Sequence, residues 1–443
     1  MRWNCAPTSR ADRFLNPGRG AVSRICVEPW AGVAVLAGML APFRTSGRVR
    51  VLLGHAPVAA GVDGDRVTSV TLRGPGGEPV TVLAPYVLDA TGTGHVLPLA
   101  GAEHVTGAES RDRTGEPHAA PVARPLDMQA VSWCFALDHR PGEDHVIDRP
   151  GSYGFWREYR PPTWPGPQLS LTAPVPRTGE PLARTFTPNP DGPAPGVEHR
   201  ATGGDVELWT FRRIAARETF LPGHLDSDIT LVNWSMIDYL GGPVHEVTPE
   251  QAARHLAGAR ELSRSFLYWL QTEAPRPDGG TGYPGLRLRP DLLGTADGLA
   301  MRPYVREAAR IVARYTVVEQ DVAAAPGRAG PVRFPDSVGV GSYRLDLHPS
   351  TGGQGYLDLA ARPFEIPLRA LVPVRLENLL PAAGNIGTTH LTNGCFRSSG
   401  ASARSPARWR PSACGRAAGR TRWRSPRSWW EPSSPGCAPT GWS

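Results

Sequence analysis

The stretch that most restricts the fold is a short apolar strand, Tyr86, Val87, Leu88 and Asp89, which runs without a linker into Ala90-Thr91-Gly92-Thr93-Gly94. An apolar stretch, residues 95–100, follows and is predicted helical. Glycines let backbone approach a ligand closely, and the free N–H groups at a helix start favour anions. Strand, glycine turn and helix in that order is the layout of a dinucleotide-fold crossover. Directly before it lie three short strand patterns, at 58–62, 67–73 and 80–83. Asp63-Gly64-Asp65 and Gly74-Pro75-Gly76-Gly77 supply the turns between them, so a β-meander is predicted. A second apolar strand running into a glycine turn spans residues 379–387, LLPAAGNIG.

Other elements are read from caps and periodicity. Pro29 opens an apolar run that predicts a short, largely buried helix, and residues 48–53 (RVRVLL) read as a strand. Thr248-Pro249-Glu250-Gln251 is a capping box with proline at the first helical position, and Pro275 closes the helix it opens. Ala252, Leu256, Ala259, Phe266 and Leu270 form its apolar face. A second helix is predicted over 303–314 and a strand over 315–319. The best strand candidates in the middle of the chain are 133–137 and 229–234, and the Pro/Gly-rich stretch 175–205 reads as a surface loop.

Charge sets the last segment apart. The net charge is +7, and every basic residue is arginine. Residues 398–443 carry eight arginines and one acid, Glu431, which accounts for the whole excess (8 − 1 = 7). The remaining 40 basic and 40 acidic residues balance, which argues against a nucleic-acid partner for the folded part. The same segment has no Leu, Ile, Val, Phe, Met or Tyr, so it cannot build a core, yet it holds five of 13 tryptophans. Natural disordered tails avoid tryptophan. GC-rich DNA translated out of frame gives this mixture, and that origin is expected here. The six cysteines include no C-x-x-C pair, so no metal site is expected. No signal peptide or membrane span is read, and a cytoplasmic location follows as the expectation.

Several blocks together resemble the FAD-dependent oxidoreductases, specifically the bacterial heterodisulfide-reductase-A-like group. They are Leu15-Asn16-Pro17-Gly18, 86–99 (YVLDATGTGHVLPL), 105–110 (VTGAES), 303–311 (PYVREAARI), 336–348 (DSVGVGSYRLDLH) and 379–397 (LLPAAGNIGTTHLTNGCFR). The resemblance covers residues 15–397. It implies an α/β fold like that of glutathione reductase, with a parallel sheet and a β-meander, FAD as cofactor and a small-molecule substrate. Ala90, Thr91, Gly92 and Gly94 would lie beside the FAD, and Gly384, Asn385, Ile386, Gly387 and Thr388 would approach its ribityl or pyrophosphate part. The alternative is that both are ordinary strand-to-loop glycine turns.

Two departures stand against the family pattern. No G-x-G-x-x-G turn, whose N–H groups hold the pyrophosphate, occurs near the start. From residue 398 the sequence leaves the family's His-Pro and Glu-Trp-Asn-like continuation. The expectation is therefore a partial FAD-binding domain at 1–124 lacking its first βαβ unit. A substrate domain at 125–330, helical over 248–314, would follow, then a return to the FAD-binding domain at 331–397 and an unfolded, out-of-frame tail at 398–443. The alternatives are a non-catalytic fragment without flavin, or a β-rich binding protein with an arginine arm.

Four sets of side chains are candidates for chemistry. Arg306 and Arg310 share a face of the predicted helix and could meet an anionic group such as a substrate carboxylate; the alternative is a solvated face or a pair with Glu307 or Glu319. Asp346 and His348 alternate on a predicted strand, so both point the same way. An Asp-oriented histidine can serve as general acid or base, or the two can be a structural pair. His390 and Cys395 fall in the Thr-Thr-His-Leu-Thr-Asn-Gly-Cys block, near the flavin ring by resemblance. The thiol could be redox-active or a buried spectator.

Overall fold

The computed structural model describes residues 5–12, 15–22, 26–190, 206–324, 330 and 332–399. The proposed tail from residue 400 onward, and 191–205 of the expected surface loop, lie outside the described residues.

The meander forms as its turn residues require. Ala56–Asp63, Arg66–Arg73 and Pro79–Leu83 pair antiparallel in sequence order. Val87–Asp89 then pairs in parallel with Leu379–Pro381, joining two strands almost 300 residues apart in sequence. Among the strands of the described residues this is the only parallel pairing, apart from isolated parallel bridges such as Val317 with Thr388; the other sheets are antiparallel and small. The broad parallel sheet that the resemblance implies is thus present only as this pair. One side of the meander, with Val67 and Val70, packs with Val96, Leu97, Ala309, Ile311 and Leu379 in one core.

The middle of the chain holds the largest core. Arg213–Ala215, Ile229–Val232, Phe135–His139 and Leu286–Leu288 form a four-stranded antiparallel sheet in that order. Helix Pro249–Thr272 packs beside it and contributes Leu262, Phe266, Leu267 and Leu270, all fully buried. Its start is the capping box: Gln251 N–H donates to Thr248 Oγ1, and Thr248 N–H donates to Gln251 Oε1. The expected loop at 175–205 begins instead with a hairpin, Thr172–Pro174 against Pro181–Ala183.

Four expectations fail for identifiable reasons. Helix Pro29–Thr45 is 17 residues long and buries none of them; Leu36 and Met39 are 60% and 66% exposed. Apolar periodicity says that a helix has something to bury, not that anything in the chain covers it. Only its start is anchored, where Trp30 Nε1 donates to Asp291 O at 2.9 Å. Residues 48–53 form no strand, because no neighbouring strand accepts their edge. Residues 303–309 are extended rather than helical. Tyr304 exchanges backbone bonds with Ser132, Ala309 N–H donates to Thr93 O, and Ile311 N–H donates to Asn385 O. These tertiary partners override helix propensity. Residues 315–318 belong to no strand, and a single helical turn, Glu319–Val322, follows. The predicted helix at 95–100 is likewise one turn, Val96–Leu99.

Candidate active site

Two regions of the predicted chemistry are built by these elements. The first is the pair of glycine turns. The parallel strands deliver both to one end of the sheet, and they touch: Asn385 Nδ2 donates to Asp89 O at 3.0 Å. At the first turn the Asp89 carboxylate accepts from Thr91 N–H at 2.9 Å and Val96 N–H at 3.3 Å. His95 N–H donates to Thr91 Oγ1 at 2.7 Å. The N–H groups of Thr91, His95 and Val96 are thus taken within the chain. Gly94 has φ +73°, and a Cβ there would lie 2.7 Å from Ala309 O. At the second turn Gly384, Asn385, Ile386, Gly387 and Thr388 are all buried. Gly387 N–H donates to Ala370 O, and its carbonyl accepts from Val317 N–H. A Cβ on Gly387 would come within 2.5 Å of Tyr315 O. Its lack of a side chain serves the approach of this chain's own backbone.

The second region is a polar pocket between the central sheet and the segment 343–348. Its walls include Gln129, Arg212, Asn233, Arg306, Asp346 and His348, with Tyr304 and Tyr343 alongside. Gly394, from helix His390–Ser399, closes one side. The two tyrosines are 39% and 38% exposed, which places them at the mouth. Asp238 lies beneath and organises the walls. Its carboxylate accepts from Ser132 Oγ and His348 Nδ1, each at 2.5 Å, and pairs with Arg306 at 3.0 Å. Burial alone would raise the Asp238 carboxyl; the Arg306 charge and His348 outweigh it and hold it below the usual range. Arg306 also donates to Ala130 O at 2.7 Å and lies over the Tyr304 ring.

This geometry corrects the sequence expectation about the histidine. Asp346 lies within strand Leu345–Leu347 and His348 directly follows it, and both line the pocket, as their alternation requires. The carboxylate that orients His348 is Asp238, however, 110 residues away. Asp346 instead accepts from Tyr343 Oη at 3.2 Å. With Asp238 on Nδ1–H, Nε2 is the basic nitrogen of the neutral ring. An imidazole so oriented can take or give a proton at the pocket wall.

Arg310, His390 and Cys395 do not join the pocket. Arg310 is fully buried and paired with Glu109 at 2.9 Å and with Glu307, and it donates to Gly107 O. It has no surface to offer a substrate. His390 Nδ1 donates to Glu307 at 2.9 Å, and its backbone N–H donates to Glu109 at 2.9 Å. Burial opposes charge on both partners, but their mutual attraction wins: Glu307 is held at about 2 and His390 is raised. This cluster fastens the start of helix His390–Ser399 to the 307–310 segment. Cys395 is fully buried, donates to Arg344 O at 3.2 Å, and is pushed by burial up to about 12. A thiol so buried and so protonated holds little of the thiolate that reacts. Among the described residues no cluster of His, Cys, Asp or Glu is placed to hold a metal ion. No helix among them is long and apolar enough to cross a membrane.

A family model described as FAD dependent oxidoreductase matches residues 6–405. The chain belongs to the FAD-dependent oxidoreductase family. No curated protein and no solved structure matches it. FAD is the family's cofactor, and the family implies an α/β dinucleotide-binding fold, of which the parallel pair and its two glycine turns are the part found here. The residues at those turns do not fit the cofactor as they stand. At the first turn the Thr91, His95 and Val96 N–H groups are bonded internally, and the second turn is packed against residues 311–317 and Ala370. Asp238, Arg212, Asn233, Tyr304 and Tyr343 were not singled out from sequence. They come from four separate segments, and only the fold brings them to one cavity.

Proposed function

We propose that this chain derives from an enzyme that moves a hydride or electrons between a small organic substrate and FAD. Within the family we place it in the heterodisulfide-reductase-A-like group, with a glutathione-reductase-like arrangement. The polar pocket of Arg306 and His348 is its substrate site, residues 125–330 supply most of that site, and the cytoplasm is its location. In this reading His348 handles the substrate proton and Arg306 fixes the site through Asp238. The flavin half is impaired: the present polypeptide binds FAD weakly or not at all. The observation that carries this is the burial of all five residues 384–388 against the chain itself.

The test is flavin content. The full chain is purified and its visible spectrum read near roughly 450 nm, where flavins absorb. FAD is then titrated in while flavin fluorescence is followed. A colourless protein without saturable FAD binding agrees with the proposal. A yellow protein carrying about one FAD per chain contradicts the impairment.

We further propose that residues 398–443 are an out-of-frame reading. The coding DNA decides it: another frame after codon 397 should continue an apolar-patterned sequence. If neither does, the idea fails.

A further inference from the structure

Arg212 is the one charged residue of the pocket that has no ion pair or side-chain hydrogen bond among the described residues. Its neighbour in sequence, Arg213, is fully buried, pairs with Asp228 at 2.6 Å and donates to Gly18 O at 2.8 Å. Arg212 is half-buried and its guanidinium lies over the Phe211 ring at 5.2 Å, yet among the described residues it forms no ion pair, and its Nε is buried without a hydrogen-bond partner. Burial disfavours its charge most; among its ionisable neighbours Cys134 comes first, then Arg306, which repels it, with Tyr343 and Tyr304 behind. A guanidinium drawn partly out of water with no counter-charge, and with one N–H buried and unbonded, is costly.

The same cavity holds two more unsatisfied side-chain atoms. Gln129 is 3% exposed; its Oε1 accepts from His348 N–H, which leaves Nε2 without a partner. Asn233 Oδ1 is buried and accepts no bond. Two unused donors, Arg212 Nε and Gln129 Nε2, thus share the cavity with an unused acceptor, Asn233 Oδ1, and with the Asp346 carboxylate. Buried polar atoms are nearly always satisfied in native proteins, so several orphans around one space indicate a missing occupant. That occupant must present an anionic acceptor and, beside it, a hydrogen-bond donor. The cavity measures about 50 Å³, which limits the ligand to a few heavy atoms.

We propose that the pocket binds a small carboxylate carrying a hydrogen-bond donor on its α carbon. The carboxylate sits on Arg212 and Gln129, and the α-hydroxyl or α-ammonium group faces Asn233 Oδ1, Asp346 and His348 Nε2. Arg212 is a binding residue in this assignment. The proposal rests on the reading of this pocket as the substrate site, and it deepens that reading by naming the substrate class.

The test needs no flavin, so its outcome separates from the flavin measurement above. The full chain is titrated by calorimetry with glycolate (2-hydroxy), glycine (2-amino), acetate (no α donor) and glycolamide (no charge). Glycolate or glycine should bind at least ten-fold more tightly than acetate, with no detectable binding of glycolamide; which of the two wins identifies the α donor. Arg212→Gln should weaken that binding at least ten-fold while the near-UV circular dichroism stays native. Asn233→Asp, which installs a carboxylate beside Arg212, should compete with the ligand and weaken binding comparably. Three results overturn the proposal: no binding of glycolate or glycine, acetate binding as tightly as either, or unchanged affinity in both variants.

Discussion

Glu307→Gln is the sharpest test of how the site is held together. Glu307 is 1% exposed and receives His390 Nδ1–H, Arg310 and Gln129 N–H. Its carboxyl is lowered from 4.5 to about 2. A depressed carboxylate contributes stability above its unfolded pKa and loses it as pH falls through the folded value. That lowering corresponds to roughly 3 kcal/mol of stability at pH 6, lost progressively between about pH 4.5 and 2. His390 carries the opposite sign: its raised pKa adds stability below 6.5 that fades as pH rises through the folded value. Both shifts express one attraction, so it is counted once. The glutamine keeps the shape and an acceptor for Gln129 N–H but removes the charge between His390 and Arg310. Urea unfolding followed by tryptophan fluorescence, at pH 6 and at pH 3, measures the effect. At pH 6 the variant should be less stable by about 3 kcal/mol, and at pH 3 the gap should narrow. A difference under about 0.5 kcal/mol at pH 6, or a gap that does not change with pH, refutes the reasoning.

Three further outcomes are expected. Asp238→Asn strips Arg306 and His348 of their shared carboxylate and should cost about 3–5 kcal/mol in urea unfolding, the range for breaking a buried ion pair; an unaltered midpoint would show that the pocket does not depend on it. Gly387→Ala drives a methyl against Tyr315 O and should cost at least about 1–3 kcal/mol, measured as a fall in thermal midpoint; a neutral result would mean the turn is looser than its packing indicates. Cys395 and Cys134, pushed up to about 12 and about 11, should resist a thiol reagent at pH 7.5 until the protein is unfolded, as read by peptide mapping; rapid labelling of Cys395 in the native chain would reopen a redox role for it.

Local chemistry made part of this protein legible from sequence. Asp-Gly and Pro-Gly-Gly turns set the meander, and Thr248 with Gln251 set the start of the long helix. Tyr86 to Gly94 marked a strand running into a glycine turn, and the alternation of Asp346 and His348 put both on one pocket wall. Each of these depends on residues within a few positions of one another, where turn preference, caps and period act directly. The family followed from blocks of the same local kind. Tertiary structure decided the rest. Residues 303–309 gave up helix for backbone partners at Ser132 and Thr93, and the apolar helix Pro29–Thr45 found no cover. His348 took its carboxylate from Asp238 rather than from its neighbour on the strand, and Arg310 went to a buried ion cluster while Arg306 went to the pocket. The reason is common to all of these. Which group satisfies a buried charge or a backbone donor depends on what the folded chain brings within about 3 Å, and separation along the sequence does not record that distance.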